Sequence, residues 1–237
     1  MVRVVPALDI DYYLRGLTGL VHVGANTGQE REVYRRYELN VLWIEPLPDV
    51  FEQLQENIAH IPRQKAIRAL ITDRDGQEYS FNIANNGGAS SSIFELARHR
   101  EIWPDVHFVR SMTIKSTTLD TILEGATRPR YDALVIDTQG SELLVLKGAR
   151  GSLTRFRYIK TEAANFESYK SGAQARELVS FLAGAGFRLV KSVSFARSPE
   201  GGRYFELLFE KGKSSTGLCE RRTRSKSPRL IEQGQNE

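Results

Sequence analysis

Cysteine is almost absent: Cys219 is the only one in 237 residues. A single thiol cannot form an internal disulfide and offers no cysteine-based metal cluster. No run approaches the roughly 18 apolar residues of a membrane span. The opening segment MVRVVPALDI lacks the apolar core and cleavage site of a secretory signal. These absences predict a cytoplasmic protein in a reducing compartment. Nor is there a broad excess of one charge. The net charge is +4, and all of it arises from Lys211 onward, where seven basic residues face three acidic ones. Residues 1–210 are neutral, which argues against a nucleic-acid binder with a wide electrostatic footprint. The segment 211–237 is polar, contains Gly and Ser, and has no apolar periodicity. It is expected to be disordered, a solvated extension first and an electrostatic tether second.

What is present is alternation. GLVHV (19–23), VLWIE (41–45), KAIRALI (65–71), YDALVID (131–137) and RYIKTE (157–162) read as short buried strands. Helical patterns separate them: QEREVYRRYEL with Val33, Tyr34 and Tyr37 on one side, then Val50, Phe51, Leu54 and Ile58 at helical spacing. A helix from Ser141 to about Arg150 follows the fourth strand, and one with Ala175, Leu178, Val179 and Leu182 follows the fifth. This rhythm predicts an α/β fold with a parallel sheet covered on both faces. The rhythm then breaks. FRLVKSVSF (187–195) and RYFELLFE (203–210) are separated only by ARSPEGG. That is too short for a crossover, so the pair must be antiparallel. Five parallel strands with a terminal hairpin describe the seven-stranded, Rossmann-like sheet of class I methyltransferases.

One domain over residues 1–210 accommodates all of these elements, with a long insert at about 72–130. The insert should hold a strand QEYSFNI, a polar loop ANNGGASSS, a short helix near Phe94–Arg100 and a second strand VHFVRSMTIKSTTL. Long segments of this kind inside a compact domain tend to be functional. This one is expected to face a substrate.

The first strand ends in GANTG, with Gly24 and Gly28. A P-loop needs a different spacing and a lysine. A dinucleotide turn needs a glycine where this chain has Asn26, so that the backbone can approach a pyrophosphate. A cofactor carrying adenosine without pyrophosphate fits better. Glu45 ends the second strand, where a carboxylate can accept hydrogen bonds from ribose hydroxyls.

Taken together, VHVGANTGQE, VLWIEPLPDVFEQLQENI, STTLD, ALVIDTQGSELLVLKGA and IKTEAANFESY resemble the FkbM family of S-adenosylmethionine-dependent methyltransferases, over about residues 19–195. The resemblance implies S-adenosylmethionine as methyl donor, S-adenosylhomocysteine as product, and O-methylation of a sugar, glycan or secondary metabolite. It implies that Gly24, Ala25, Asn26 and Gly28 wrap the methionine part of the cofactor. Glu45 would then hold the ribose, and Pro46 would flank the adenine. Many members carry an acid where this chain has His22, which is read here as a scaffold residue, with Glu30 as the substitute. Methylation of nitrogen or of RNA, and a non-catalytic cofactor-binding partner protein, are the alternatives. The retention of Glu45, Asp137 and Glu162 argues against the last.

Methyl transfer to a hydroxyl needs alignment of the acceptor and a group to take its proton. Asp137, ending the fourth strand, is the first candidate, as base or as orienter, and it competes with a helix-capping role. Glu162, ending the fifth strand, is the second catalytic candidate. Glu142 falls in the first turn of a helix, where an acid complements the dipole. Asn86, Ser91, Ser92 and His99, in the insert, are candidates for binding a sugar-like acceptor. No metal is predicted, although Asp137 with Glu162 would suit a hard cation. The chain leaves room for a homo-oligomer.

Overall fold

A computed structural model of the chain describes residues 10–124 and 129–212. The expectation of a disordered tail falls outside these residues, except that Lys211, counted with the tail, is the last residue of a strand.

Seven strands form the main sheet: β1 (Gly19–Val23), β2 (Asn40–Ile44), β3 (Gln64–Ile67), β7 (Ala133–Ile136), β8 (Tyr158–Ala164), β9 (Phe187–Arg197) and β10 (Arg203–Lys211). Their spatial order is β3-β2-β1-β7-β8-β10-β9. The first five run parallel, and β10 lies antiparallel between β8 and β9. This is the class I methyltransferase sheet expected from the seven-residue spacing of the last two strands. The order reverses between β1 and β7, which makes the carboxyl ends of those two strands the ligand-binding crevice of such a sheet.

The central strands β1, β2 and β7 are buried on both faces, so alternate residues supply two cores. Val21, Leu42, Leu134, Ile136 and Ile159 pack against α4 (Glu142–Lys147) and α5 (Ala175–Gly184) through Val145, Leu146, Leu178 and Leu182. On the opposite face Leu20, Val41, Trp43 and Val135 meet Tyr34 of α1 (Arg31–Arg36), Leu54 and Ile58 of α2 (Pro48–Ile58), and the segment carrying Ile10, Tyr13 and Leu14. Pro48 begins α2, where its missing N–H costs nothing. A capping box between Gln174 and Glu177 starts α5. Trp43 is fully buried, and its indole N–H donates to Gln64 Oε1 at 3.0 Å, so the ring fills the core without stranding its polar edge.

The insert forms its own three-stranded sheet, β4-β6-β5, from β4 (Leu70–Ile71), β5 (Glu78–Ala84) and β6 (Phe108–Thr117), with α3 (Leu119–Ile122) after it. Three expectations change here. KAIRALI is two strands, because Leu70 and Ile71 leave the main sheet to pair with Ser116 and Thr117. The helix near Phe94–Arg100 is a single 3₁₀ turn, Arg98–Glu101. The helix of QEREVYRRYEL is only Arg31–Arg36, which leaves Tyr37 beyond its end and exposed. No helix among the described residues is long and apolar enough to cross a membrane.

Candidate active site

The glycine turn after β1 is pinned to the end of β2. Gly24 and Ala25 both donate their N–H to Ile44 O, at 3.0 and 3.1 Å. Gly24 has φ +81°, and a Cβ there would lie 1.8 Å from the Asp137 carbonyl oxygen. A Cβ on Gly28 would meet Leu54 of α2 at 2.8 Å. What the two glycines permit is therefore the close approach of β7 and α2. Asn26, at φ 44°, fills the place where a dinucleotide turn leaves a bare glycine. Its Oδ1 accepts from Thr27 N–H and the Gln29 amide, and its Nδ2 donates to Gly87 O in the insert.

Glu45 stands directly beyond β2, 5 % exposed. One carboxylate oxygen accepts from Asn26 N–H and the other from Leu47 N–H, each at 2.9 Å. The intervening Pro46 is half-buried. Burial pushes the Glu45 carboxyl up to about 7, opposed by the Leu47 and Asn26 N–H groups and raised further by Asp137.

Asp137 follows β7 and receives the Gln139 amide on Oδ1 at 2.6 Å. Burial raises it to about 6, the Gln139 bond pulls it down, and Glu30 and Glu206 push it up. Glu142 turns back from α4 to accept from Thr138 N–H and Gly140 N–H at 3.0 Å, which organises the Asp137–Ser141 turn. Burial raises it to about 7. Glu162 is partly buried inside β8, which runs on to Ala164 rather than ending at residue 162 as expected, and its carboxylate accepts no hydrogen bond from the described residues. Burial, then Asp137 and Glu206, hold its carboxyl well above the usual carboxylate range. Glu206 is its direct neighbour across the β8–β10 ladder. Lys160 offsets part of this charge, pairing with Glu206 at 3.1 Å and Asp11 at 3.4 Å.

A cleft with an empty volume of about 310 Å³, its part open to solvent included, lies over these strand ends. Gln139, Glu142, Glu162, Ser168, Tyr169 and Tyr204 line it. Ser168 Oγ and Tyr204 hydroxyl are hydrogen-bonded. Glu162 lines this cleft, and Asp137 is near enough for its charge to raise the Glu162 carboxyl.

The insert candidates divide. Asn86 and Ser90 exchange two hydrogen bonds, and Ser91 Oγ accepts from Ala84 N–H, so Asn86 and Ser91 shape their own turn. Ser92 reaches the site, donating to Gln139 O at 2.7 Å. His99 is buried behind the cleft wall, against Trp103, Tyr169 and Tyr204. Its Nε2 is 3.3 Å from Ser90 Oγ, and its Nδ1 has no partner. Burial lowers it to about 4, so the ring is neutral. His22 is a scaffold residue, stacked on Trp43 and 3.3 Å from Tyr34 Oη, and burial lowers it to about 3. Among the described residues no group of three His, Cys, Asp or Glu side chains is placed to hold a metal ion. Sequence reasoning missed Gln139, Tyr204 and Glu206. An acid inside the apolar strand RYFELLFE was the signal that could have been read for the last.

Residues 22–189 match the family model described as the methyltransferase FkbM domain. The 2-O-methyltransferase NoeI of Sinorhizobium fredii is 27 % identical over 190 residues, covering 77 % of this chain and 76 % of that protein. The hexuronic acid methyltransferase AglP of Haloferax volcanii is 30 % identical over 144 residues, 59 % of this chain and 53 % of that one. Among solved structures, magnesium protoporphyrin IX methyltransferase from Synechocystis PCC 6803 is 10 % identical with a TM-score of 0.48, over 86 % of this chain and 74 % of that one. With the matched segment running from the middle of β1 into β9, the chain belongs to the FkbM methyltransferase family.

Proposed function

We propose that the enzyme uses S-adenosylmethionine to methylate a hydroxyl of a sugar or glycan. The observation that carries this reading is the Glu45 carboxylate, held beside the β1 turn by one backbone N–H on each oxygen. Each oxygen keeps a lone pair for one of two vicinal ribose hydroxyls. The Asn26 amide, committed within the turn, supports a nucleoside cofactor without pyrophosphate. NoeI is a 2-O-methyltransferase and AglP a hexuronic acid methyltransferase, which supports the acceptor class.

When bound, S-adenosylmethionine supplies an electrophilic methyl group on a sulfonium sulfur. Glu45 would hold the ribose, Pro46 would lie beside the adenine, and Gly24, Ala25, Asn26 and Gly28 would line the methionine portion. Asp137, ionised, would receive the cofactor's amino group. Glu162 faces the cleft with free lone pairs and takes the proton of the acceptor hydroxyl. Tyr169, Tyr204 and Ser168 present ring faces and hydroxyls suited to a sugar, with Ser92 and the loop of Asn86 and Ser91 above them and His99 behind the wall.

The test is calorimetric titration with S-adenosylmethionine, S-adenosylhomocysteine and NAD, followed by transfer of labelled methyl to neutral monosaccharide glycosides. Binding of the first two, no binding of NAD and label on sugar oxygen are expected. Binding of NAD alone would overturn the cofactor assignment. Label found only on nitrogen or on RNA would overturn the acceptor class.

A further inference from the structure

The Asp137 carboxylate and the Tyr169 hydroxyl do not touch, yet one side chain joins them. Gln139 Nε2 donates to Asp137 Oδ1 at 2.6 Å, and Gln139 Oε1 accepts from the Tyr169 hydroxyl at 2.7 Å. The backbone of Gln139 is held in the left-handed region, φ 54°, where few side chains sit without compensation. Its carbonyl is fixed by Ser92 Oγ. We propose that Gln139 is a positioning residue that holds Asp137 as an ionised acceptor and ties its charge to the direction of the Tyr169 hydroxyl in the cleft. This rests on the assignment of Asp137 to the cofactor.

Donors and acceptors decide which way the Gln139 amide points. Tyr169 has one proton and two acceptors in reach, Gln139 Oε1 and Ser90 O at 3.2 Å. While the amide donates to Asp137, its oxygen faces Tyr169 and draws that proton. If Asp137 takes up a proton on Oδ1, that oxygen donates to Gln139 instead and the amide reverses. Its NH₂ then faces Tyr169, whose proton turns to Ser90 O. Two self-consistent arrangements exist, and they differ by one proton on Asp137.

The surroundings press toward the protonated arrangement. The charges of Glu30 at the start of α1, Glu45 after β2, Glu142 of α4, Glu162 of β8 and Glu206 of β10 act against that of Asp137, and Lys160 of β8 works the other way. The Gln139 amide is the one hydrogen-bond donor given to the Asp137 carboxylate among the described residues. Removing it leaves the charge to burial and to these acids.

The test follows the carboxyl carbon of Asp137 by NMR in protein carrying carboxyl-labelled aspartate, assigned by its loss in Asp137→Asn. In Gln139→Met, close in volume but without a donor, the Asp137 midpoint should rise by about one pH unit or more. In Gln139→Glu it should rise further, because two carboxyls at that distance share a proton. A midpoint that is unchanged or lower in the Met variant overturns the proposal. Should that variant fail to fold, the Glu variant decides by the same criterion. S-adenosylhomocysteine binding by the wild-type protein is measured alongside. Its absence would sink the cofactor reading while leaving the Asp137 midpoint to judge Gln139 separately.

Discussion

Replacing Glu45 by glutamine keeps the side chain's shape and removes its charge. In the folded protein this carboxyl titrates near 7 because it is buried, whereas ribose hydroxyls donate best to the ionised form. Only the ionised fraction is competent, so apparent affinity scales with it. That fraction is about nine tenths at pH 8 and about one tenth at pH 6, which predicts roughly tenfold weaker S-adenosylhomocysteine binding at the lower pH. Asp137, near 6, contributes mainly below that range. Glutamine retains one acceptor oxygen and loses one charge-assisted bond. At pH 8 the loss should be about 1.5–3 kcal/mol, or about tenfold to a hundredfold in affinity. The variant should also lose the wild-type pH dependence between 6 and 8. Lost binding is not lost folding here. A buried carboxyl with a raised folded-state value favours folding while protonated, and that contribution disappears as pH rises through 7. Glu45→Gln removes that buried charge at pH 8 but turns an NH₂ toward one of the Asn26 and Leu47 N–H donors, so the two effects oppose and the melting temperature should change little. Calorimetric titration at three pH values, with a thermal melt at each, provides the measurement. Wild-type affinity in the variant, or an unchanged pH profile, would refute the ribose assignment.

Glu162→Gln should lower kcat by about 10²–10⁴ with little change in S-adenosylhomocysteine affinity; equal loss of both would make Glu162 a cofactor ligand instead. Since burial and Asp137 hold the Glu162 carboxyl well above the usual carboxylate range, the wild-type rate should still be climbing at a pH where an ordinary carboxylate is fully ionised, and a profile that levels off where ordinary carboxylates do would exclude it as base. Gly24→Ala forces a Cβ to 1.8 Å from the Asp137 carbonyl at φ +81°, and denaturant unfolding should show a cost of about 2–5 kcal/mol. His22→Asn should reduce stability through the lost contact with Trp43 yet leave cofactor affinity within about twofold; a loss on the order of tenfold would make the ring a ligand.

The sheet was legible because its strands are short apolar runs at the right spacing, and a seven-residue link between the last two permits no crossover. The division of KAIRALI was not. Leu70 and Ile71 are as apolar as the residues before them, and the partner that draws them away, β6, is more than forty residues distant in sequence. Glu45 and Asp137 could be placed from their positions just beyond strand ends, whereas Glu162 lies two residues inside the end of β8. Gln139 could not, since a glutamine in a turn carries no signal until Tyr169 and Asp137 arrive on either side of it. Tyr204 and Glu206 depend on the register of β10 against β8, which a single sequence does not encode locally. Asn86 and Ser91 have the composition of a binding loop, but their hydrogen bonds are spent on the turn itself.

The placement of β10 sets a timetable for biosynthesis. It is the last strand of the sheet in sequence, yet it is threaded between β8 and β9 rather than added at the rim. Chains emerge N-terminus first, so β1, β2, β3, β7 and β8 can assemble while the place beside β8 is still vacant. During that interval Lys160 lacks Glu206, and Tyr204 has not yet arrived to close the cleft. β8 meanwhile presents an open edge of N–H and C=O groups, the hazard that sheet proteins otherwise guard against. The growing polypeptide thus completes the turn holding Glu45 before Tyr204 completes the lining of the cleft. A ribosome-bound intermediate stalled before residue 203 would be the form most in need of a chaperone.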